Sequence, residues 1–299
     1  MSSSKSLLSS RLFLLKEMVI RDLRTRYAGS SLGLIWAVSQ PILWMVLYTL
    51  VFSVILRVPV EKGFANFPEF LLPGLLPWTA FQEGVSRSAS ALIDNAAMVK
   101  KTVFPLETLL LSVVAAAVVN QIIAFTIFIL YLVWLGHFSL AWAALAIPAL
   151  LLQTLLTFGL GCFAATVVTF VRDAAHAITI LLTVVFYATP IVYPAALVPA
   201  RYQWMLAANP LAHLVEWYRR AFTLHVAPEP SSVLYLTVVS GVVAALSGSL
   251  FLRARPHFIE RRLAGSFAFA ALPLGAGPVR HHLVSGRNAH LVEMRLVRP

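Results

Sequence analysis

The sequence predicts an all-α membrane protein: six transmembrane helices, an N-terminal amphipathic interface helix, and short re-entrant helices on the outer side before the last span. Three observations carry this. Of 299 residues, 60% are apolar and 12% charged, about half the charged fraction of a soluble domain. Mean hydropathy is +0.84, and several apolar runs reach the ~18 residues that a soluble core does not need. The net charge of +11 gathers at the ends of those runs. The tendency of basic residues to stay on the cytoplasmic side explains it without a nucleic-acid partner.

Residues 5–27 read as a basic amphipathic helix. Leu8, Leu12, Leu15, Val19 and Leu23 recur at spacings of three and four and share a face, opposite Ser10, Glu17, Arg21 and Arg24. Such a helix ahead of a span lies in the membrane interface, with Arg21, Arg24 and Arg26 toward headgroups or a protein partner. Residues 1–30 hold six basic residues and no uninterrupted apolar segment, so a cleavable signal peptide is not expected. Gly29-Ser-Ser-Leu-Gly33 formally matches G-x-S-x-G, with Ser31 as the nucleophile of a membrane-embedded hydrolase. That elbow needs a strand before it and here follows a helix, so a corner between helix and span is the better reading.

The first span covers about 33–56 without a charge. Trp36, Gln40, Trp44 and Tyr48 lie four apart on one face. Flat rings and an amide suit a path for a sugar chain; helix packing and an interfacial aromatic belt need the same residues. The second span, about 70–93, is the least apolar and carries Pro73 and Pro77, which kink it, and Glu83 and Arg87, which can pair across one turn.

The break at 94–107 carries Lys100 and Lys101 and reads as cytoplasmic: a surface helix gripped by a partner, or a solvated loop. No Asp, Glu, Lys or Arg follows from Thr108 to Val171, and Gly136-His-Phe-Ser139 divides this stretch into spans of about 108–134 and 141–170. His137 then belongs to an outer loop rather than a ligand set, and Cys162 is a small packing residue. A fifth span covers about 175–193 and a sixth about 232–252, stopped by Arg253, Arg255, Arg261 and Arg262. Between them, 195–230 is too broken for a span. Arg201, Arg219 and Arg220 on the outer side there oppose the charge rule, and Glu216 can pair with Arg220. An even span count puts both termini in the cytoplasm. The tail, 265–299, rich in Gly, Pro, Arg and His, is expected to be disordered, and its histidines form no metal-ligand pattern.

Arg21-Asp-Leu-Arg-Thr-Arg-Tyr27 with Leu32-Gly-Leu-Ile-Trp36 and Gln40-Pro41, then Lys100-Lys-Thr-Val-Phe-Pro-Leu-Glu107, then Asn209-Pro-Leu with Tyr218-Arg219, together resemble ABC-2 type permeases that export polysaccharides. The resemblance spans about 10–262. It is strongest to the O-antigen and teichoic-acid branches and weaker to the capsule branch. It implies a half-transporter of the bacterial inner membrane: a homodimer moving a lipid-linked glycan, worked by two copies of a separate ATP-binding subunit that holds ATP and Mg. This chain has no G-x-x-x-x-G-K-[ST] loop, so no cofactor of its own is expected. The domain plan is an interface helix (1–30), an ABC-2 transmembrane domain (31–264) and the tail. Asn95, Met98, Val99, Lys100, Lys101 and Phe104 would seat in the ATPase, braced by the N-terminal helix. Trp36, Gln40, Trp44 and Tyr48 would line the glycan path, and Arg24 and Arg26 would meet a carrier pyrophosphate. An ABC-2 exporter of a small drug or lipid is the alternative substrate class.

Overall fold

The computed structural model describes residues 2–27, 35–57, 63–96 and 105–270; residues 2–11, 25–27, 35–38, 40, 41, 45, 257 and 259–270 are described by backbone only. Every regular element among them is helical. In chain order these are α1 (Ser2–Tyr27), α2 (Ile35–Tyr48, running on as a π segment, Thr49–Ile55), α3 (Phe67–Asp94), α4 (Leu106–Leu135), α5 (Ala146–Phe170, after a single turn at Leu140–Ala143), α6 (Ala174–Ala188), α7 (Pro210–Arg219) and α8 (Pro230–Ala270). Residues from Glu260 onward form a separate unit, of which the described part is the end of α8.

Three stretches among the described residues are long and apolar enough to cross a membrane: Leu106–Leu135, Leu140–Phe170 and Pro230–Pro256. They fall on the third, fourth and sixth expected spans. The first expected span is helical through Ile55, and the second coincides with α3. The fifth is shorter than expected, ending at Ala188 rather than 193. Thr189 precedes Pro190, whose ring drives the residue before it out of the helical region, and Thr189 is extended at φ −105°, ψ 131°. The segment after it breaks into short turns, as its composition suggested, before α7 and a π turn at Arg220–Leu224.

The bundle is built around α3. It packs most extensively on α5 and α4 and also touches α2, α6 and α7. Its start is fixed by Asn66, whose Oδ1 accepts from the Glu69 backbone N–H at 3.0 Å while its Nδ2 donates to Glu69 Oε1 at 2.9 Å, with Pro68 in the first turn. One apolar core joins Phe70, Leu71, Trp78 and Phe81 of α3 to Phe128 of α4, Leu156 of α5 and Leu214 of α7. A second lies at the far end of α3 and joins Ala91 and Leu92 to Leu106, Leu109 and Leu110 of α4, Cys162 of α5, and Phe251 and Phe258 of α8, with Met18 of α1 packed against it.

Small residues set the close approaches. A Cβ at Gly161 would lie 2.8 Å from Ser88 Oγ, and one at Gly84 would lie 2.5 Å from Thr157 Cγ2, so α3 and α5 meet almost backbone to backbone. At Gly159 the obstacle is the backbone of Ala244 on α8, 2.9 Å away, which cannot rotate aside. Where no hydrophobic force separates helix from lipid, such approaches are how helices hold together.

Gly159→Leu is therefore expected to push α8 off α5 and destabilise the protein by about 1–3 kcal/mol. Gly241→Leu, whose Cβ direction is open, serves as the control. Thermal unfolding in detergent, followed by loss of the monodisperse peak, separates the two.

Candidate functional site

The rings at Trp44 and Tyr48 do share a face, with centroids 5.5 Å apart. The row continues by the same four-residue step to Phe52, 5.9 Å from Tyr48. It then crosses to α3, where Phe67 stacks on Phe52 at 6.1 Å and Phe70 lies 6.0 Å from Phe67. Trp44 is 38% exposed and Phe70 1%, so the ladder runs from the surface into the core. The side chains of Trp36 and Gln40 lie outside the described residues.

Arg219 closes the ladder. Its guanidinium lies 3.8 Å over the Phe70 ring; Nε donates to the Phe70 carbonyl at 3.0 Å and Nη2 to the Ile191 carbonyl at 2.9 Å. It is 2% exposed. Carbonyl dipoles and a ring face hold a desolvated cation that solvent no longer reaches. Arg220 pairs with Glu216 at 2.9 Å, as its spacing suggested, and with Glu229 at 3.2 Å. Arg201 lies over the Tyr202 ring at 4.5 Å. All three arginines that opposed the charge rule are engaged locally.

A buried polar knot lies one layer deeper. Gln121 of α4 and Gln153 of α5 form a reciprocal amide pair at 2.8 and 3.0 Å; Tyr218 of α7 donates to Gln153 Oε1 at 2.8 Å, and Gln153 Nε2 donates to the Pro77 carbonyl at 3.0 Å. It joins four helices through side chains that are 1–2% exposed. The sequence reading missed it. The signal was there, because Asn120, Gln121 and Gln153 are the only carboxamides between Thr108 and Val171.

His137 lies in the loop after α4 and is exposed, as expected, but it also has a buried partner. Gly136 ends α4 in the left-handed region at φ 74°, and His137 then reaches back so that its Nδ1 lies 2.9 Å from Glu69 Oε1. Glu69 is 3% exposed and needs these polar neighbours to be tolerated inside.

At the opposite end of α3, Arg87 reaches Glu83 only at 3.4 Å. Its main partner is Asp22 of α1, which accepts from both terminal nitrogens, one bond measuring 2.7 Å. A cavity of about 220 Å³ opens beside this pair, lined among others by Arg21, Asp22, Arg87, Asp94 and Asn95. Arg24 is exposed, as Arg21 is, and the Arg26 side chain lies outside the described residues. Asn95 caps α3, its Nδ2 donating to the Ala91 carbonyl at 3.0 Å. Met98, Val99, Lys100, Lys101 and Phe104 lie outside the described residues, as does Ser31. Glu107 in the first turn of α4 pairs with Arg255 of α8 at 3.1 Å. Among the described residues no group of three or more His, Cys, Asp or Glu is placed to hold a metal ion.

Residues 14–223 match the family described as ABC-2 type transporter. The chain is 33% identical to the O-antigen export system permease protein RfbA of Myxococcus xanthus over 83% of its own length and 94% of the relative's. It is 32% identical to the RfbA protein of Klebsiella pneumoniae, covering 80% and 91%. The polysialic acid transport protein KpsM of Escherichia coli is 26% identical, covering 78% and 90%.

The polar knot gives a test independent of these likenesses. Gln153→Leu removes one residue and strands three partners, whereas Tyr218→Phe removes one hydroxyl, which donates to Gln153 and accepts from Gln121 Nε2 at 3.3 Å. In detergent-solubilised protein Gln153→Leu is expected to lose about 1–2 kcal/mol and Tyr218→Phe about half as much. Equal midpoints of thermal unfolding would show that the knot holds nothing.

Proposed function

Since the chain belongs to the ABC-2 type transporter family, we propose that it is the permease subunit of a bacterial inner-membrane exporter. Its cargo is a lipid-linked polysaccharide such as an O-antigen or capsule chain, and a separate ATP-binding subunit drives it. One observation carries the cargo assignment: the likeness to the O-antigen export permeases runs over more than nine-tenths of their length.

In this reading the chain crosses the membrane six times. The helix over 35–55 is about 30 Å long, enough for one crossing. The helix Phe67–Asp94, with its core-facing prolines, makes a second crossing, shielded from lipid by its neighbours. The helix Ala174–Ala188 is about 22 Å long and spans with local thinning of the bilayer around it. Both termini then lie in the cytoplasm, with α1 at the membrane surface. Two copies enclose the path, and the exposed apolar faces of α2 and α6, including Leu43, Val46, Ile180 and Val184, face lipid or the second copy.

Trp36, Gln40, Trp44 and Tyr48 offer ring faces and an amide to a sliding sugar chain without fixing any one sugar. Arg24 and Arg26 at the inner rim meet the anionic carrier. Asn95, Met98, Val99, Lys100, Lys101 and Phe104 seat in the ATP-binding subunit, which holds ATP and Mg; this chain supplies no phosphate-binding loop. Closure of the ATPase pair displaces that segment, and the bundle changes which side it opens to.

Lys100→Glu with Lys101→Glu is expected to weaken co-purification of the ATP-binding subunit about tenfold or more and to abolish surface glycan. Retained binding with normal glycan would remove the coupling assignment. A deletion strain that keeps its surface glycan but fails to expel a small drug or lipid would replace the substrate class.

A further inference from the structure

We propose that two ion pairs, Asp22–Arg87 and Glu107–Arg255, are positioning clamps fixing both roots of the 96–105 connection to α1 and α8. The inference rests on the reading of that connection as the point where an ATP-binding subunit pushes.

Arg87 lies two turns, about 10 Å, before the end of α3, and Glu107 lies in the first turn of α4. The two pairs therefore stand on either side of the connection. Each ties its root to a helix that contributes no residue to the connection: α1 through Asp22 and α8 through Arg255. Beneath them lies one apolar cluster. It contains Leu92 of α3, Leu106 and Leu109 of α4, and Phe251 and Phe258 of α8, with Met18 of α1 against it. The ion pairs sit at the rim of that cluster, where side chains are partly shielded. Asp22 is 17% exposed and Arg87 35%; Glu107 is 34% and Arg255 39%.

Apolar contacts hold helices together but allow sliding, because a methyl group moved by half a turn finds another methyl group. The forked Asp22–Arg87 pair allows no such slip, the single Arg255–Glu107 bond at 3.1 Å resists it at one point, and partial burial raises the penalty for separating either. Glu83, one turn from Arg87, keeps the guanidinium aimed along the helix face toward Asp22. With both pairs closed, displacement of the connection moves α1 and α8 together with α3 and α4. With one open, the same displacement is absorbed at that root.

The test uses the full chain with its ATP-binding subunit in proteoliposomes, reading glycan exported per ATP hydrolysed. Asp22→Asn and Glu107→Gln remove charge and keep volume. Each is expected to lower that ratio about fivefold or more with the subunit still bound. Glu107→Arg with Arg255→Glu is expected to restore at least about half of it. In Asp22→Cys with Arg87→Cys, a short bis-maleimide, to which each thiol adds across a C=C bond, is expected to do the same. Unchanged ratios in the neutral variants, or no recovery in the swapped and cross-linked ones, would overturn the clamps. A wild-type chain that moves no glycan with ATP and subunit present would instead overturn the functional reading. A second readout decides the clamps in either case. Hydrogen exchange across 12–24 of α1 is expected to quicken about tenfold in Asp22→Asn; unchanged exchange counts against a clamp at that root.

Discussion

Hydrocarbon offers no hydrogen-bond partner, so every polar atom carried to depth has to find another inside the protein. The molecule answers this demand around α3. Its two prolines interrupt the backbone ladder, and side chains of neighbouring helices bond carbonyl groups close by: Arg219 takes that of Phe70 and Gln153 that of Pro77. These bonds also choose which helices may sit there. Only a helix with a donor at the right height can cover a carbonyl, so α5 and α7 are set in register as well as packed.

The same helix carries a fixed polar group at each end. Glu69, with Asn66 and His137, fixes the first turn to the end of α4. Arg87, with Asp22, fixes the last turns to α1. Between them, Gly84 faces Thr157 and Gly161 faces Ser88, too close for any side chain to intervene. A helix held at both ends and flush against the neighbour it packs on most is braced along its length. That bracing follows from residue size and polarity alone.

Long elements were legible in the sequence because lipid forces long uninterrupted apolar runs. The expected spans 108–134 and 141–170 correspond to Leu106–Leu135 and Leu140–Phe170. Pairs within one helix, Glu216 with Arg220 and Glu83 with Arg87, were legible because helical spacing is local. The aromatic face at Trp44 and Tyr48 was legible for the same reason, but its continuation to Phe67 on the next helix was not. Asp22 with Arg87 and Gln121 with Gln153 join residues far apart in the chain, and no local period encodes them. Rarity of type is the only sequence trace they leave: an acidic residue among arginines, an amide in a charge-free run.

The arginines before the last span show how burial changes the meaning of charge. Counted along the sequence, Arg201, Arg219 and Arg220 argue against placing their segment outside. The topological rule counts basic residues near span ends by their place in the chain, and the fold shows how each of these three is accommodated. Arg219 is desolvated between two carbonyls and a ring, Arg220 lies between two carboxylates, and Arg201 is folded over its neighbouring tyrosine. Arg219 has exchanged the headgroup region for partners inside the fold, whereas Arg220 is only partly buried in its ion pairs and Arg201 stays exposed. Lys100, Lys101, Arg172 and Arg253 then carry the count, all at junctions the sequence assigns to the other side. The proposed orientation therefore rests on where these junction charges stand in the chain, with Arg219 alone withdrawn from the opposing count.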